Sequence, residues 1–384
     1  MVSAVRRGAS IRQVAKRFGV SRETVKYWLI RAADRRLDRV DWSDRPRGPR
    51  QPANKVSAEI EELVLTLRRE LKETSALGEY GAQAIRREMI RRRPRPLPSL
   101  RTVGRILDRR GALDGRRRVR RPAPPAGWYL PQLADRTAEL DSFDIVEGLV
   151  IQGGFAVETL NAISLHGGLV EAWPRAKITA KAVVRMLTSH WQRFGLPDYA
   201  QFDNDTVFQG AHQHPDSLGR VVRLCLSLEV IPVFSPPREM GFQAAIENFN
   251  GRWQAKVWSR FVHASRKELQ SRSAKFITAS RRRGAARIEN APARRPFPED
   301  WSLNLQSPLS GMVVLLRRTG DCGQARVLGH TFQVDHNWPH RLVRAEVDLD
   351  KHVIRFHALR RREPQYQPLL KIVDYHFPNK RFQG

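Results

Sequence analysis

The hydrophobic period of this chain changes near Gln132, and that change constrains its architecture more than any other feature. Upstream, apolar residues recur at helical spacing; downstream, short alternating runs give way to helices and then return. One layer of secondary structure cannot satisfy both patterns, so 384 residues must divide into several domains. Two basic, proline-rich stretches mark the breaks. In DWSDRPRGPRQPANK, Pro46, Pro49 and Pro52 forbid continuous helix, and GRRRVRRPAPPAGWY, from Gly115, interrupts the chain again.

The front segment, SIRQVAKRFGVSRETVKYWLIRA, reads as a helix–turn–helix spanning residues 1–45 with its flanks. Ser10 caps a short helix with Ile11, Val14, Ala15 and Phe18 inward; Gly19 makes the turn; Ser21 caps a second helix with Val25, Trp28 and Leu29 at core spacing. Arg22, Glu23, Thr24 and Lys26 then lie on the outer face, where such a helix reaches base edges in the major groove. Residues 55–115 give three more helices, capped at Ser57 and Ser99. They read as a second, winged-helix-sized DNA reader with Arg101, Arg105, Arg109 and Arg110 on its last helix, or as a structural bundle.

The charge balance points the same way. Lys and Arg number 68 against 39 Asp and Glu, a net +29, and a surface that basic calls for a polyanionic partner. The excess is heavy in Arg, whose planar fork matches phosphate oxygens. Cys225 and Cys322 are too few for a zinc finger or a disulfide framework. No run of apolar residues approaches a membrane span, and the first residues carry no signal-peptide core, so a cytoplasmic, DNA-associated protein is expected.

Residues 132–265 read as three short strands, then helix, strand, helix, strand, helix: an α/β core around a mixed sheet. Three acids stand out in it. Asp144 opens the first strand, Asp203 ends a later apolar strand and is followed by Asn204, and Glu247 sits in a helix after Pro236–Pro237. Carboxylates at neighbouring strand ends converge, and a following helix adds a third. Such an oxygen-only set suits Mg²⁺ or Mn²⁺, and two ions so held can activate one phosphodiester oxygen and steady another. Most acids are solvated surface charges, however, and Asp141, three positions before Asp144 and on the opposite strand face, competes for the first place. Residues 300–384 read as a separate small β-barrel of about five strands. The stretch SRSAKFITASRRRGAARIEN before them reads as a basic tether, with the run Arg281–Arg283 neutralising phosphate. Trp191 reads as core, Trp253 and Trp258 as core or base-stacking, and His212 and His214 as loop residues.

The order strand-Asp, then HWQRFGLPDYAQFDNDTVF, then PVFSPPREMGFQAAIENFN resembles the integrase core of bacterial insertion-sequence transposases and retroviral integrases, over roughly Leu140–Phe261. The resemblance implies an RNase H-like fold and a metal-binding Asp, Asp, Glu triad, carried here by Asp144, Asp203 and Glu247. It also implies a helical front end that reads element-end repeats, strand cleavage and strand transfer with two divalent ions, and oligomers on paired DNA ends. Asn204, Asn250, Arg252 and Lys256 would touch DNA beside the scissile phosphate. Two departures stand out. Gln243–Ala244 occupies the place of the family's frequent Asn–Gly pair. Forty-four positions separate Asp203 from Glu247, more than is usual, with the surplus assigned to QGAHQHPDSLG. A DNA-binding regulator with an inactive core is the alternative, and a ribonuclease on RNA–DNA hybrids a third reading.

Overall fold

The computed structural model describes residues 1–43, 56–113, 126–211, 214–239, 241–378 and 381–382. The proline linker at 46–52, the basic stretch 115–125 and His212 lie outside the described residues. The described residues form two compact units, Met1–Glu62 and Leu63–Gly384, where the sequence suggested four domains.

The first unit holds α1 (Val2–Arg6), α2 (Ile11–Phe18) and α3 (Arg22–Ala32). Ser10 and Gln13 form a reciprocal capping box, Gly19 turns the chain at φ 64°, and Ser21 Oγ accepts the Thr24 amide at 3.0 Å. At the starts of α2 and α3 an open backbone amide is thus satisfied by the side chain the sequence placed as its cap. Val14, Ala15 and Val25 are buried between the helices. The helix–turn–helix geometry therefore follows from local chemistry.

The second unit begins within α4 (Ala58–Thr74) and continues through α5 (Ala82–Arg92) and α6 (Leu100–Arg109). These helices are not a free-standing reader. Arg260 donates to the carbonyls of Lys72, Glu73 and Ser75 at 3.0, 2.8 and 2.6 Å, and Lys256 to that of Gly78 at 3.0 Å. Such contacts satisfy the carbonyls left open at the C-terminus of α4.

After α7 (Pro131–Ala134) come β1 (Leu140–Val150), β2 (Ala156–Ser164), β3 (Val170–Arg175), α8 (Ala180–Phe194), β4 (Tyr199–Phe202), α9 (Thr206–Gln209), α10 (Arg220–Ser227), β5 (Ile231–Phe234), α11 (Ala244–Trp253) and α12 (Arg266–Glu289). The strands lie in the order β3–β2–β1–β4–β5, with β2 antiparallel to its neighbours and β1, β4 and β5 parallel. This is the mixed α/β sheet expected. Phe143, Leu160, Ala200 and Phe202 face α8 and α10, while Val146, Val157, Ile163 and Val170 face α11 and α12.

The C-terminal strands β6 (Met312–Arg318), β7 (Gln324–Val327), β8 (His330–Gln333), β9 (Leu342–Asp348), β10 (Val353–Leu359) and β11 (Leu369–Asp374) correct the expectation of a separate barrel. β6 pairs parallel with β5, Val233 opposite Val314, and the order then runs β6–β9–β10–β11, so one nine-stranded sheet results; β7 and β8 form their own hairpin. The reason lies in β6 itself. Val313, Val314, Leu315 and Leu316 are all buried, so both faces of this strand are covered. A strand covered on both faces belongs inside a sheet that carries a layer on each side.

α12 likewise is no loose tether. Leu269, Phe276 and Ile277 pack toward β3, Arg281 pairs with Glu171, and Arg283 pairs with Glu79. Two of the three arginines in the basic run are thus paired with carboxylates of the same unit, and Arg282 is exposed.

Along β1, alternate residues face opposite layers. Asp141 points toward α8, where Arg294 grips both its oxygens, one at 3.0 Å, and Trp191 Nε1 donates at 3.1 Å. Burial and nearby Arg charges push His190, beside it, well below the ordinary imidazole value. Arg294→Ala leaves this buried carboxylate without its cation, and the variant is expected to lose about 3 kcal/mol or more of stability. Calorimetric midpoints of the two proteins at pH 7 check this; equal midpoints refute it.

Candidate active site

The site is built from the register of two parallel strands. Leu140 lies opposite Tyr199, Asp141 opposite Ala200 and Ser142 opposite Gln201, where Ser142 Oγ donates to Gln201 Oε1 at 3.0 Å. The same register carried two residues further brings Asp144 beside Asp203, just past the end of β4. On its other side Asp144 faces Asn161 of β2. The α11 helix crosses this face. Ile246, Phe249 and Trp253 bury it against the sheet, while Glu247, in its first turn, stays exposed at the rim. Three positions on, Asn250 turns inward, and its Nδ2 donates to Asp144 Oδ2 at 2.5 Å. The helix bearing Glu247 is thereby pinned to the strand bearing Asp144. Past it the chain runs into a π-helical turn, Gln254–Trp258.

Electrostatics mark the same spot. Burial, then the negative charges of Asp203 and Glu247, push the Asp144 carboxyl up to about 6, against hydrogen bonds from the Ile145 backbone and Asn250. Asp203 is also raised, first by burial and then by Asp205 and Glu147. The Asp205 amide donates to Asp203 Oδ1 at 3.0 Å. No Lys or Arg among the described residues pairs with Asp144, Asp203 or Glu247. Nor, among the described residues, are three His, Cys, Asp or Glu side chains drawn into a closed ligand cluster. The donor chemistry still fits a hard divalent cation: oxygen only, net negative, partly desolvated, and lacking a resident positive charge. Asp141 has no place in this set, because Arg294 and Trp191 hold it on the far face.

The residues expected to touch DNA fall into different situations. Arg22, Glu23 and Lys26 are exposed on α3, with Lys26 and Glu23 paired at 3.0 Å. Thr24 instead serves the cap, its Oγ1 2.9 Å from Ser21 Oγ. Arg101 and Arg105 are exposed one turn apart on α6, Arg252 is exposed on α11, and Asn204 donates to the Ser235 carbonyl at 2.7 Å. Lys256 is committed to the Gly78 carbonyl and lies over the Tyr80 ring. Asn250 corrects the expectation outright: it is buried, with both ends of its amide bonded inside the protein, and cannot face DNA. Trp191 and Trp253 are core residues, the latter donating to Ser273 Oγ at 2.9 Å, and Trp258 stacks on His263.

Sequence reasoning passed over Asn161 and the Ser142–Gln201 pair. A signal existed: each is a polar residue inside an apolar strand, on the face that carries Asp144. An isolated strand does not say which helix will cover that face.

No family model matches the chain. Among solved structures it is similar to the catalytic core domain of BIV integrase, at 18% identity over 37% of this chain and 80% of that one, with a TM-score of 0.27. It is also similar to the HTLV-2 integrase catalytic core domain in complex with magnesium, at 13% identity over 41% of this chain and 87% of that one, with a TM-score of 0.27. A third is the simian T-cell lymphotropic virus intasome in complex with PP2A regulatory subunit B56 gamma, at 12% identity over 69% of this chain and 84% of that one, with a TM-score of 0.32.

A carboxyl held near 6 in the fold, against 3.8 in the open chain, binds its proton more tightly when folded. Its contribution is favourable below pH 4 and is lost as pH rises through 6, so the metal-free protein bears a penalty at pH 7. Asp144→Asn removes that penalty and keeps an oxygen to accept from Asn250. In EDTA at pH 7 the variant is expected to be more stable by roughly 2–3 kcal/mol, with the gap closing toward pH 4. Thermal unfolding at both pH values measures it, and a variant less stable at pH 7 contradicts the assignment.

Proposed function

We propose that this chain is a metal-dependent polynucleotidyl transferase of the integrase and transposase kind, acting on DNA. The observation that carries the reading is the pair Asp144 and Asp203, desolvated side by side on parallel strands with no described cation, under a helix that brings Glu247 to their rim. Like charges gathered at such cost make sense where a cation and a phosphodiester complete the site.

In this reading Asp144, Asp203 and Glu247 would together hold the divalent ions. When bound, Mg²⁺ or Mn²⁺ supplies the Lewis acidity that the attacking and leaving oxygens require. The chain's own groups do the rest. Asn250 fixes one oxygen of Asp144, so that its free lone pairs point out of the sheet. Asp205 positions Asp203 through its backbone amide. Arg252 meets DNA phosphate as the strand leaves α11, and Arg101 and Arg105 meet it along α6. The helix–turn–helix of the first unit reads the element-end repeat through α3, where Arg22 and Lys26 stand exposed. Hydrolysis at the element end frees a 3′-hydroxyl, which then attacks target DNA without a covalent enzyme intermediate. Joining both ends calls for two or more protomers on paired DNA. An insertion-sequence element in a bacterial nucleoid is the setting this implies; among the described residues no helix is long and apolar enough to cross a membrane.

The test is strand transfer from a labelled duplex carrying the terminal repeat beside the gene into a supercoiled plasmid. Wild type is expected to give joined product with Mg²⁺ or Mn²⁺ and none with EDTA. Glu247→Gln is expected to lower the rate at least about a thousandfold while leaving DNA affinity within a few-fold. Tight, salt-sensitive DNA binding without product in either metal points instead to a regulator with an inactive core.

A further inference from the structure

Beneath α11 the bond from Asn250 to Asp144 continues into a second buried amide, Asn161, to which the proposed chemistry gives no role. Asn161 is fully buried in β2, with Val157, Ile163 and Val146 on the same sheet face and Phe249 of α11 packed over it. It lies directly opposite Asp144 in the antiparallel register. Its Nδ2 donates to Asn250 Oδ1 at 2.8 Å, and Asn250 Nδ2 in turn donates to Asp144 Oδ2 at 2.5 Å. The far oxygen of Asn161 and the hydroxyl of Thr159, two residues earlier on the same face, have no hydrogen-bond partner among the described residues. An apolar side chain at 161 would avoid that unmet acceptor, so packing alone does not explain an asparagine there.

What Asn161 supplies is direction. A primary amide is nearly symmetric in shape, and Asn250 could turn either its NH₂ or its oxygen toward Asp144. With the oxygen forward it would repel the carboxylate. Asn161, which presents NH₂ to the Asn250 oxygen, gives that oxygen a donor and so favours the orientation in which Asn250 donates to Asp144. We infer that Asn161 is a positioning residue for the proposed active site: through Asn250 it sets the orientation of Asp144 and the seat of Glu247's helix. The inference rests on the proposed reading for its effect on rate, but the relay itself is independent of that reading. Partners of this kind, one bond removed from a metal-ligating group, change affinity or activity by about 10- to 100-fold when lost.

Two substitutions separate orientation from packing. Asn161→Leu keeps the branching at Cγ, is larger, and removes the donor. Asn161→Asp keeps the shape and reverses the polarity, drawing the Asn250 NH₂ away from Asp144. Both are made in the full chain, and thermal midpoints verify folding. Strand transfer is expected to fall about 10- to 100-fold in kcat in both variants, with KM for the DNA end within twofold, and Mn²⁺ affinity by titration calorimetry is expected to weaken in parallel for Asn161→Leu. A third readout needs neither metal nor DNA. In metal-free protein selectively ¹⁵N-labelled at asparagine, the Asn250 side-chain amide protons, assigned through Asn250→Ser, are expected to exchange at least tenfold faster in Asn161→Leu than in wild type; in Asn161→Asp they remain protected, now by the new carboxylate, and change chemical shift. Unchanged exchange in Asn161→Leu and unchanged Asn250 amide shifts in Asn161→Asp overturn the relay, whatever the strand-transfer result. Faster exchange with undiminished Mn²⁺ affinity and rate overturns the positioning role. The expected amide changes in the variants, beside a wild type that itself neither transfers strands nor binds Mn²⁺, sink the proposed function and, with it, that role. If Asn161→Leu does not fold, the isosteric Asn161→Asp carries the test alone.

Discussion

The site depends on one register, the parallel pairing of β1 with β4, and on the antiparallel pairing of β2 against the other edge of β1. Because side chains alternate along a strand, a slip of one residue would send Asp144 to the α8 face and Asp141 to the α11 face. The register is held where mistakes would cost most. Ser142 and Gln201 bond to each other across it in a buried setting, and Phe143 stacks on Phe202 with ring centroids 5.5 Å apart on the opposite face. Asp141, locked to Arg294, is a second pin: its carboxylate tolerates burial only where that guanidinium reaches it. Two acids three residues apart thus have opposite duties. One fastens the fold by being paired, and the other stays unpaired on the face that α11 covers.

Much of this was legible in the sequence because it is local. Ser10, Ser21 and Ser99 each cap the helix they were expected to cap, and Gly19 ends α2 where the periodicity stops. The order of strands and helices in the core followed from hydrophobic period. What the sequence did not disclose were relations between distant segments. The fusion of α4 to α6 with the core runs through Arg260, Lys256 and Arg283, any of which reads locally as a solvated or DNA-facing cation. Asn250 was misread for the same reason. Beside Glu247 on a helix it resembles a surface contact, and only the arrival of β2 beneath it, with Asn161, shows that its amide is spent inside.

The C-terminal strands raise a related point about the surplus residues between Asp203 and Glu247. In the described part of that loop, the Asp216 carboxylate meets His330 Nε2 at 2.8 Å and accepts from Tyr375 Oη at 2.5 Å, while its amide donates to the Leu328 carbonyl at 3.0 Å. All three partners come from the C-terminal part of the chain. At Gly329 a side chain would press to 2.7 Å of the Pro215 backbone, so the hairpin β7–β8 sits close against the loop. Longer surface loops cost little in closure entropy, and these contacts offset that cost. The longer spacing is therefore part of how the β6–β11 segment is held to the sheet.

The remaining tension is electrostatic. The fold keeps Asp144 and Asp203 partly desolvated, and Asp144 in the field of both other acids, without giving the set a described cation, although Arg is abundant elsewhere in the chain. Where structure alone is at stake, as at Asp141, an Arg is supplied. At Asp144 the neighbour is an uncharged amide. An amide can orient a carboxylate and lower its desolvation cost without neutralising it. A guanidinium at the same place would stabilise the fold more and leave nothing for an incoming cation to do. The choice of Asn250 over an Arg, with Asn161 behind it to keep the amide facing the right way, leaves the site's negative charge available, at the expense of stability in its absence.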